Sequence, residues 1–258
     1  MKEGQKLWTR DEFVLTLNLY LKLPFGKLDA RTPEVIHLAS IIGRTPGSVS
    51  MRLNNFASVD PFHLKRGIAG LGGGKKQVKP YWDEFINNKD ELLFESEKIL
   101  AEKEYTIIET KFEDDLRGTE HLKGENKLRE VMTRVNQNVF RQIVLANYDN
   151  KCAITGIDIP HLLVASHIIP WAKNEQERLN PENGICLSPL YDRAYDKGYI
   201  GINRKFEVLL STELKKKQKN DYYLKHFDSL NGLKITQPKK YFPKKEFLEF
   251  HLDKIFRK

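Results

Sequence analysis

Three short segments, Ser166-His167-Ile168-Ile169-Pro170, Asn183-Gly184 and Asp192-Arg193-Ala194-Tyr195-Asp196, bring an imidazole, an amide and two carboxylates into one stretch of chain. An imidazole titrates near neutrality, so His167 can take a proton from water. Asp192 and Asp196 stand four residues apart, which on a helix puts both on one face. Two such hard oxygen donors suit a divalent cation. A plain hydrophobic core needs none of these groups in this order, and together they suit a one-metal site for phosphodiester hydrolysis.

The surrounding residues predict how these groups are held. Leu162-Leu163-Val164-Ala165-Ser166-His167-Ile168 is apolar and partly β-branched, so it reads as a strand with His167 near its end, stopped by Pro170 and Trp171. A polar loop over 173–182 leads to Asn183-Gly184, read as a turn, and to a second short strand through Leu187. Ser188-Pro189 is an N-cap and first-position pair opening a helix that carries Asp192 and Asp196 and ends at Gly198. Strand, loop, strand, helix is a ββα unit. Upstream, 137–148 predicts a helix with Val139, Phe140, Ile143 and Val144 inward and Arg141 free for solvent or DNA. Downstream, 199–202 and 206–210 flank Asn203-Arg204-Lys205 as a hairpin, and an amphipathic helix over 245–256 closes the domain.

Residues 152–202 resemble the HNH endonuclease family, a branch of the ββα-metal nucleases. The likeness lies in Cys152-Ala153-Ile154-Thr155-Gly156, the Ser-His-Ile-x-Pro-Trp element at 166–171, Asn-Gly-x-Cys-Leu at 183–187 and Asp-x-x-Tyr-Asp-x-Gly at 192–198, all in order. The flanks look like those of bacterial restriction-type HNH proteins. The resemblance implies that His167 is the general base and that Asn183 braces the loop that orients it. It also implies that Asp192 and Asp196 bind the metal, Mg²⁺ or Mn²⁺ rather than Zn²⁺ for an oxygen donor set. Ser166 stands where many members carry a metal-binding Asp, which leaves fewer protein ligands and more water. Cys152 and Cys186 are the only cysteines, so a structural Cys₄ zinc is excluded by count.

The N-terminal part reads differently. Thr9 and Glu12 have capping-box spacing ahead of a helical pattern ended by Leu23-Pro24-Phe25-Gly26; Thr32-Pro33 and Thr45-Pro46 are two further helix starts, and Gly43 lies between them. Helix, short Gly turn, helix is helix-turn-helix spacing, and residues 8–57 resemble a Myb-like three-helix unit. In that reading Val49, Leu53 and Phe56 face inward, while Arg44, Ser48, Arg52 and Asn55 meet base edges and phosphates. Residues 65–80, with their glycines and lysines, read as a flexible basic connector, 82–104 as one charged spacer helix, and 105–128 as a mobile or extended joint. His121, His161, His226 and His251 have no partners at useful spacing and read as structural or exposed.

The formal charge of +8 favours an anionic partner. Two cysteines suit a reducing compartment, and neither a signal-like N-terminus nor a run near the roughly 18 apolar residues of a membrane span is present, which predicts a cytoplasmic protein with no membrane partner. The expected fold is α+β: a helical DNA-recognition domain over 1–78, a helical linker over 79–130 and an HNH nuclease domain over 131–258. The expected function is a restriction-type endonuclease on double-stranded DNA, with 5-methylcytosine or 5-hydroxymethylcytosine DNA as a candidate target, acting as a homodimer. The rival is a DNA-binding regulator with an inactive HNH fold.

Overall fold

A computed structural model describes residues 6–24, 26–67 and 70–258. The chain is α+β, mostly helical with two small two-stranded sheets, and it divides into two compact units, Met1–Val139 and Phe140–Lys258. No helix among the described residues is long and apolar enough to cross a membrane.

The first unit is helical throughout its described residues. Helix α1 (Arg10–Lys22) begins with a complete capping box: the Thr9 hydroxyl accepts from the Glu12 N–H at 3.3 Å, and the Glu12 carboxylate accepts from the Thr9 N–H at 2.8 Å. Helices α2 (Pro33–Ile41) and α3 (Pro46–Ala57) both start on Thr-Pro, with Gly43 at φ 65° in the turn between them. Phe25, part of the expected stop after α1, lies outside the described residues.

Asn55 corrects the expected outward face of α3. It is buried, donates from Nδ2 to the Leu71 carbonyl at 2.6 Å, and accepts from Arg52 at 3.2 Å. The cause lies in the glycine-rich segment. A Cβ on Gly70 would stand 2.6 Å from the Asn54 carbonyl oxygen, and one on Gly74 would stand 2.1 Å from Asn55 Oδ1. These glycines permit close approach to α3, so the described part of 65–80 is not the flexible connector expected. After α4 (Pro61–Lys65) and a 3₁₀ turn at Gly72–Gly74, α5 (Lys75–Asn87) is already helical; residues 68 and 69 lie outside the described set.

The spacer is likewise two helices, because Asn88 at φ −144°, ψ 61° breaks α5 from α6 (Lys89–Lys103). The expected joint holds α7 (Ile108–Lys111) and turns that bury Ile108, Phe112 and Leu116, so apolar contacts order it. Helix α8 (Gly124–Asn147) starts well before the expected residue 137 and runs through the division between the units. Val14, Leu17 and Tyr20 of α1 meet Val49, Leu53 and Phe56 of α3 and Val78 and Trp82 of α5 in the core of the first unit.

In the second unit, β1 (Val164–His167) pairs antiparallel with β2 (Gly184–Leu187), with Val164 opposite Leu187 and His167 opposite Gly184. Helix α9 (Pro189–Asp196) lies against β1 and against β3 (Ile200–Ile202), which pairs with β4 (Val208–Leu210). Short α10 (Thr212–Lys215) and α11 (Asp221–His226) precede α12 (Lys245–Lys254), which covers β3. Gly184 is not a turn residue. It is extended at φ −124° and opens β2, while a 3₁₀ turn at Pro181–Asn183, capped by Asn180, reverses the chain. A Cβ on Gly184 would lie 2.4 Å from Val144 and 2.9 Å from Phe140, so its bare α-carbon lets α8 close on the sheet.

Candidate active site

The end of β1 sets the position of His167, and the loop that follows fixes its ring. His167 Nε2 lies 2.8 Å from the carbonyl oxygen of Arg178. A carbonyl only accepts, so Nε2 carries the hydrogen and Nδ1 keeps its lone pair. One face of the ring stacks on Phe140 (4.2 Å, 14°), and Trp171 meets it edge-on (5.4 Å, 86°). Burial lowers the imidazole from its usual range against the smaller opposite pull of the Arg178 carbonyl, so it is neutral at neutral pH. The arrangement offers one directed basic nitrogen.

Asn183 is fully buried and ties this loop together from below. Its Oδ1 accepts from the Ile169 N–H at 2.8 Å, and its Nδ2 donates to the carbonyls of Ile169 at 3.1 Å and Glu177 at 3.2 Å. Its own backbone carbonyl accepts from the Ile168 N–H at 3.0 Å. The residues on either side of the reversal that brings the Arg178 carbonyl to His167 are thus held by one side chain.

Asp192, on the first turns of α9, is half-buried. Burial pushes its carboxyl up; a hydrogen bond from Ser166 pulls it down, the Asp196 carboxylate pushes it up, and Arg193 acts weakly downward, with a net rise. Asp196 is exposed, with Arg193 and Lys197 each 3.7 Å away. The Asp192 and Asp196 carboxylates and the Ser166 hydroxyl are hard oxygen donors of the kind a divalent cation takes. No cluster of three or more His, Cys, Asp or Glu that could hold a metal occurs among the described residues.

Sequence reasoning could not see three supports. The Arg178 carbonyl is backbone and carries no residue-type signal. Phe140 read as core without its stacking on His167. His251 of α12 is buried, stacks on Tyr195 (3.7 Å, 4°) and donates from Nε2 to the Tyr195 carbonyl at 3.0 Å, which steadies the end of α9; burial pushes its pKa down to about 4.

The expected DNA contacts belong to both units, four to the first and Arg141 to the second. Arg44 holds Glu12 through two hydrogen bonds of 2.9 and 2.8 Å and also donates to the carbonyls of residues 6 and 7, so it ties the start of α1 to the turn before α3. Asn55 is internal, as above. Ser48 and Arg52 are partly exposed on α3. Arg141, in the second unit, donates to the carbonyls of Pro160 at 2.7 Å and Leu163 at 3.1 Å, clasping the chain just ahead of β1.

Cys152 and Cys186 are both free and buried. Cys152 Sγ accepts from the Ser188 N–H at 3.2 Å, linking the turn after α8 to the residue ahead of α9, and burial pushes the Cys186 thiol up to about 12.

No curated protein matches the chain. Residues 152–203, which contain β1, β2, α9 and β3, match the family model described as HNH endonuclease. That match supports an HNH-family nuclease module in this segment of the chain.

Proposed function

We propose that the protein is a divalent-metal-dependent, restriction-type endonuclease that hydrolyses phosphodiester bonds in double-stranded DNA. The observation that carries this reading is the locked tautomer of His167: with Nε2 donating to Arg178, Nδ1 is the nitrogen available to water. Burial keeps the ring neutral and thus able to accept a proton.

In this reading His167 Nδ1 takes the proton of the water that attacks phosphorus. Asn183 keeps the 168–178 loop, and so the imidazole, in one orientation. Asp192, with Ser166 and Asp196, would hold Mg²⁺ or Mn²⁺, and a bound ion would offset charge on the phosphorane and on the leaving 3′ oxygen. Ser166, in place of a carboxylate, leaves more of the coordination to water. One such site cuts one strand, so a double-strand break calls for a homodimer.

The test is cleavage of matched plasmids, with and without 5-methylcytosine or 5-hydroxymethylcytosine, in Mg²⁺ and in Mn²⁺. Cutting of modified plasmids alone supports a modification-dependent enzyme, and cutting of both supports a sequence- or shape-directed one. The second reading, an inactive HNH-fold DNA-binding regulator, rests on Ser166 and on the small donor set. Absence of cutting on every plasmid, with equally poor Mn²⁺ binding by wild type and Asp192→Ala, would favour it.

A further inference from the structure

A groove of about 1100 Å³ opens in the first unit between Trp8, the start of α3 and α5. Four residues lining it are basic, Lys6, Arg44, Arg52 and Lys76, and none is acidic. Arg44 is neutralised by Glu12. Arg52 has no carboxylate within ion-pair distance among the described residues. Its one side-chain hydrogen-bond partner among the described residues is the Asn55 amide oxygen at 3.2 Å. A guanidinium carries five N–H donors, so most of this fork is unused. Burial and the neighbouring Arg44 both disfavour its charge, which an anion would relieve.

The same groove has an aromatic wall. Tyr81 stacks on Phe13 at 4.7 Å and 18°, and Trp8 meets Phe13 at 5.4 Å and 40°. The Arg52 guanidinium lies 5.1 Å from the Trp8 ring centre and 5.3 Å from that of Phe13. A cationic fork fixed beside aromatic faces matches a nucleotide, whose phosphate takes the fork while its sugar and base lie on the rings.

We propose that this groove is the DNA-holding site of the first unit, with Arg52 binding a backbone phosphate and Trp8 and Tyr81 touching the adjoining sugar and base. The proposal rests on the reading of the chain as a DNA endonuclease, and it goes beyond contact by α3 alone by adding the aromatic wall of Trp8 and Tyr81. Asn55 is buried beneath the groove, where it positions the Arg52 fork.

The test uses the full chain with a short labelled DNA duplex in EDTA, so that binding is read without cutting. Arg52→Gln should weaken binding by about tenfold or more and lower the slope of log affinity against log salt by about one. Arg52→Lys, which keeps a charge without the fork, should fall between the two and guards against a misfolded variant. Tyr81→Leu should lose affinity with little change in salt slope. Lys123→Gln, which removes one exposed charge outside the groove, should bind as wild type. Equal binding by wild type and Arg52→Gln, or equal losses in Arg52→Gln and Lys123→Gln, would overturn the proposal even if the protein cuts DNA. An RNA duplex that binds as tightly as DNA would overturn the assignment of DNA as occupant. Groove-dependent binding by a protein that never cuts would leave this proposal standing and remove only the nuclease reading.

Discussion

Asn183 holds Ile169 at two points, accepting from its N–H at 2.8 Å and donating to its carbonyl at 3.1 Å, from a position with no solvent exposure. Asn183→Asp would put an oxygen against the carbonyls of Ile169 and Glu177. A buried carboxylate facing two acceptors should cost about 3 kcal/mol or more. Thermal melting should show the loss, and cleavage should drop with it because the loop that aims His167 is released. Unchanged melting and cutting would remove Asn183 from the bracing role.

Gly184→Ala tests the closure of α8 on the sheet. The added methyl meets Val144 at 2.4 Å and Phe140 at 2.9 Å, and Phe140 is the face on which His167 stacks. Overpacking of this kind costs about 1–3 kcal/mol. Stability by melting and activity should fall together. A variant as stable and active as wild type would show that the helix can shift freely.

Asp192→Asn tests the metal. Calorimetric titration with Mn²⁺ should show affinity falling by at least about tenfold, as loss of a charged oxygen ligand implies, and EDTA should abolish wild-type cutting. Equal Mn²⁺ affinity in the two proteins would move the metal away from α9.

The acid limit of the first unit should be set in part by Glu97, buried among Lys22, Asn18 at 2.6 Å and Lys111 at 3.7 Å. Burial alone would raise this carboxyl, but Lys22, with Asn18 and Lys111, outweighs it, and the group sits below its usual range. A depressed folded value means stability that is present above the unfolded pKa of about 4.3 and lost as pH falls through the folded value. Glu97→Gln should therefore lower the melting temperature at neutral pH, and the gap to wild type should narrow below about pH 4. A gap independent of pH would show that the charge of Glu97 does not matter.

Local signals were readable in the sequence. The capping box at Thr9, the Thr-Pro start at Thr45 and the Ser188-Pro189 start each gave a helix where it was expected, since a cap at Thr9 or Thr45 depends on a residue three positions away and Pro189 is set for the first helical position. The segments carrying His167, Asn183 and Asp192 also fell on the expected strand, turn and helix. Long-range geometry was not readable. Gly70 and Gly74 signal flexibility by type, and only contact with Asn54 and Asn55 shows that they serve close approach. Asn55 looked outward by helical period, but the Leu71 carbonyl, sixteen residues away, turns it into an internal partner. The pairing of Arg44 with Glu12 was not readable either, because the two stand far apart in sequence.

In the proposed mechanism His167 Nδ1 is the base of a phosphodiesterase. Its most direct measurement is single-turnover cleavage of plasmid DNA in Mn²⁺ by wild type and by His167→Ala, with DNA binding followed in EDTA. Wild type should nick or cut, and His167→Ala should be slower by about 10²–10⁴-fold with binding intact. Cleavage by His167→Ala at the wild-type rate would exclude His167 as the base.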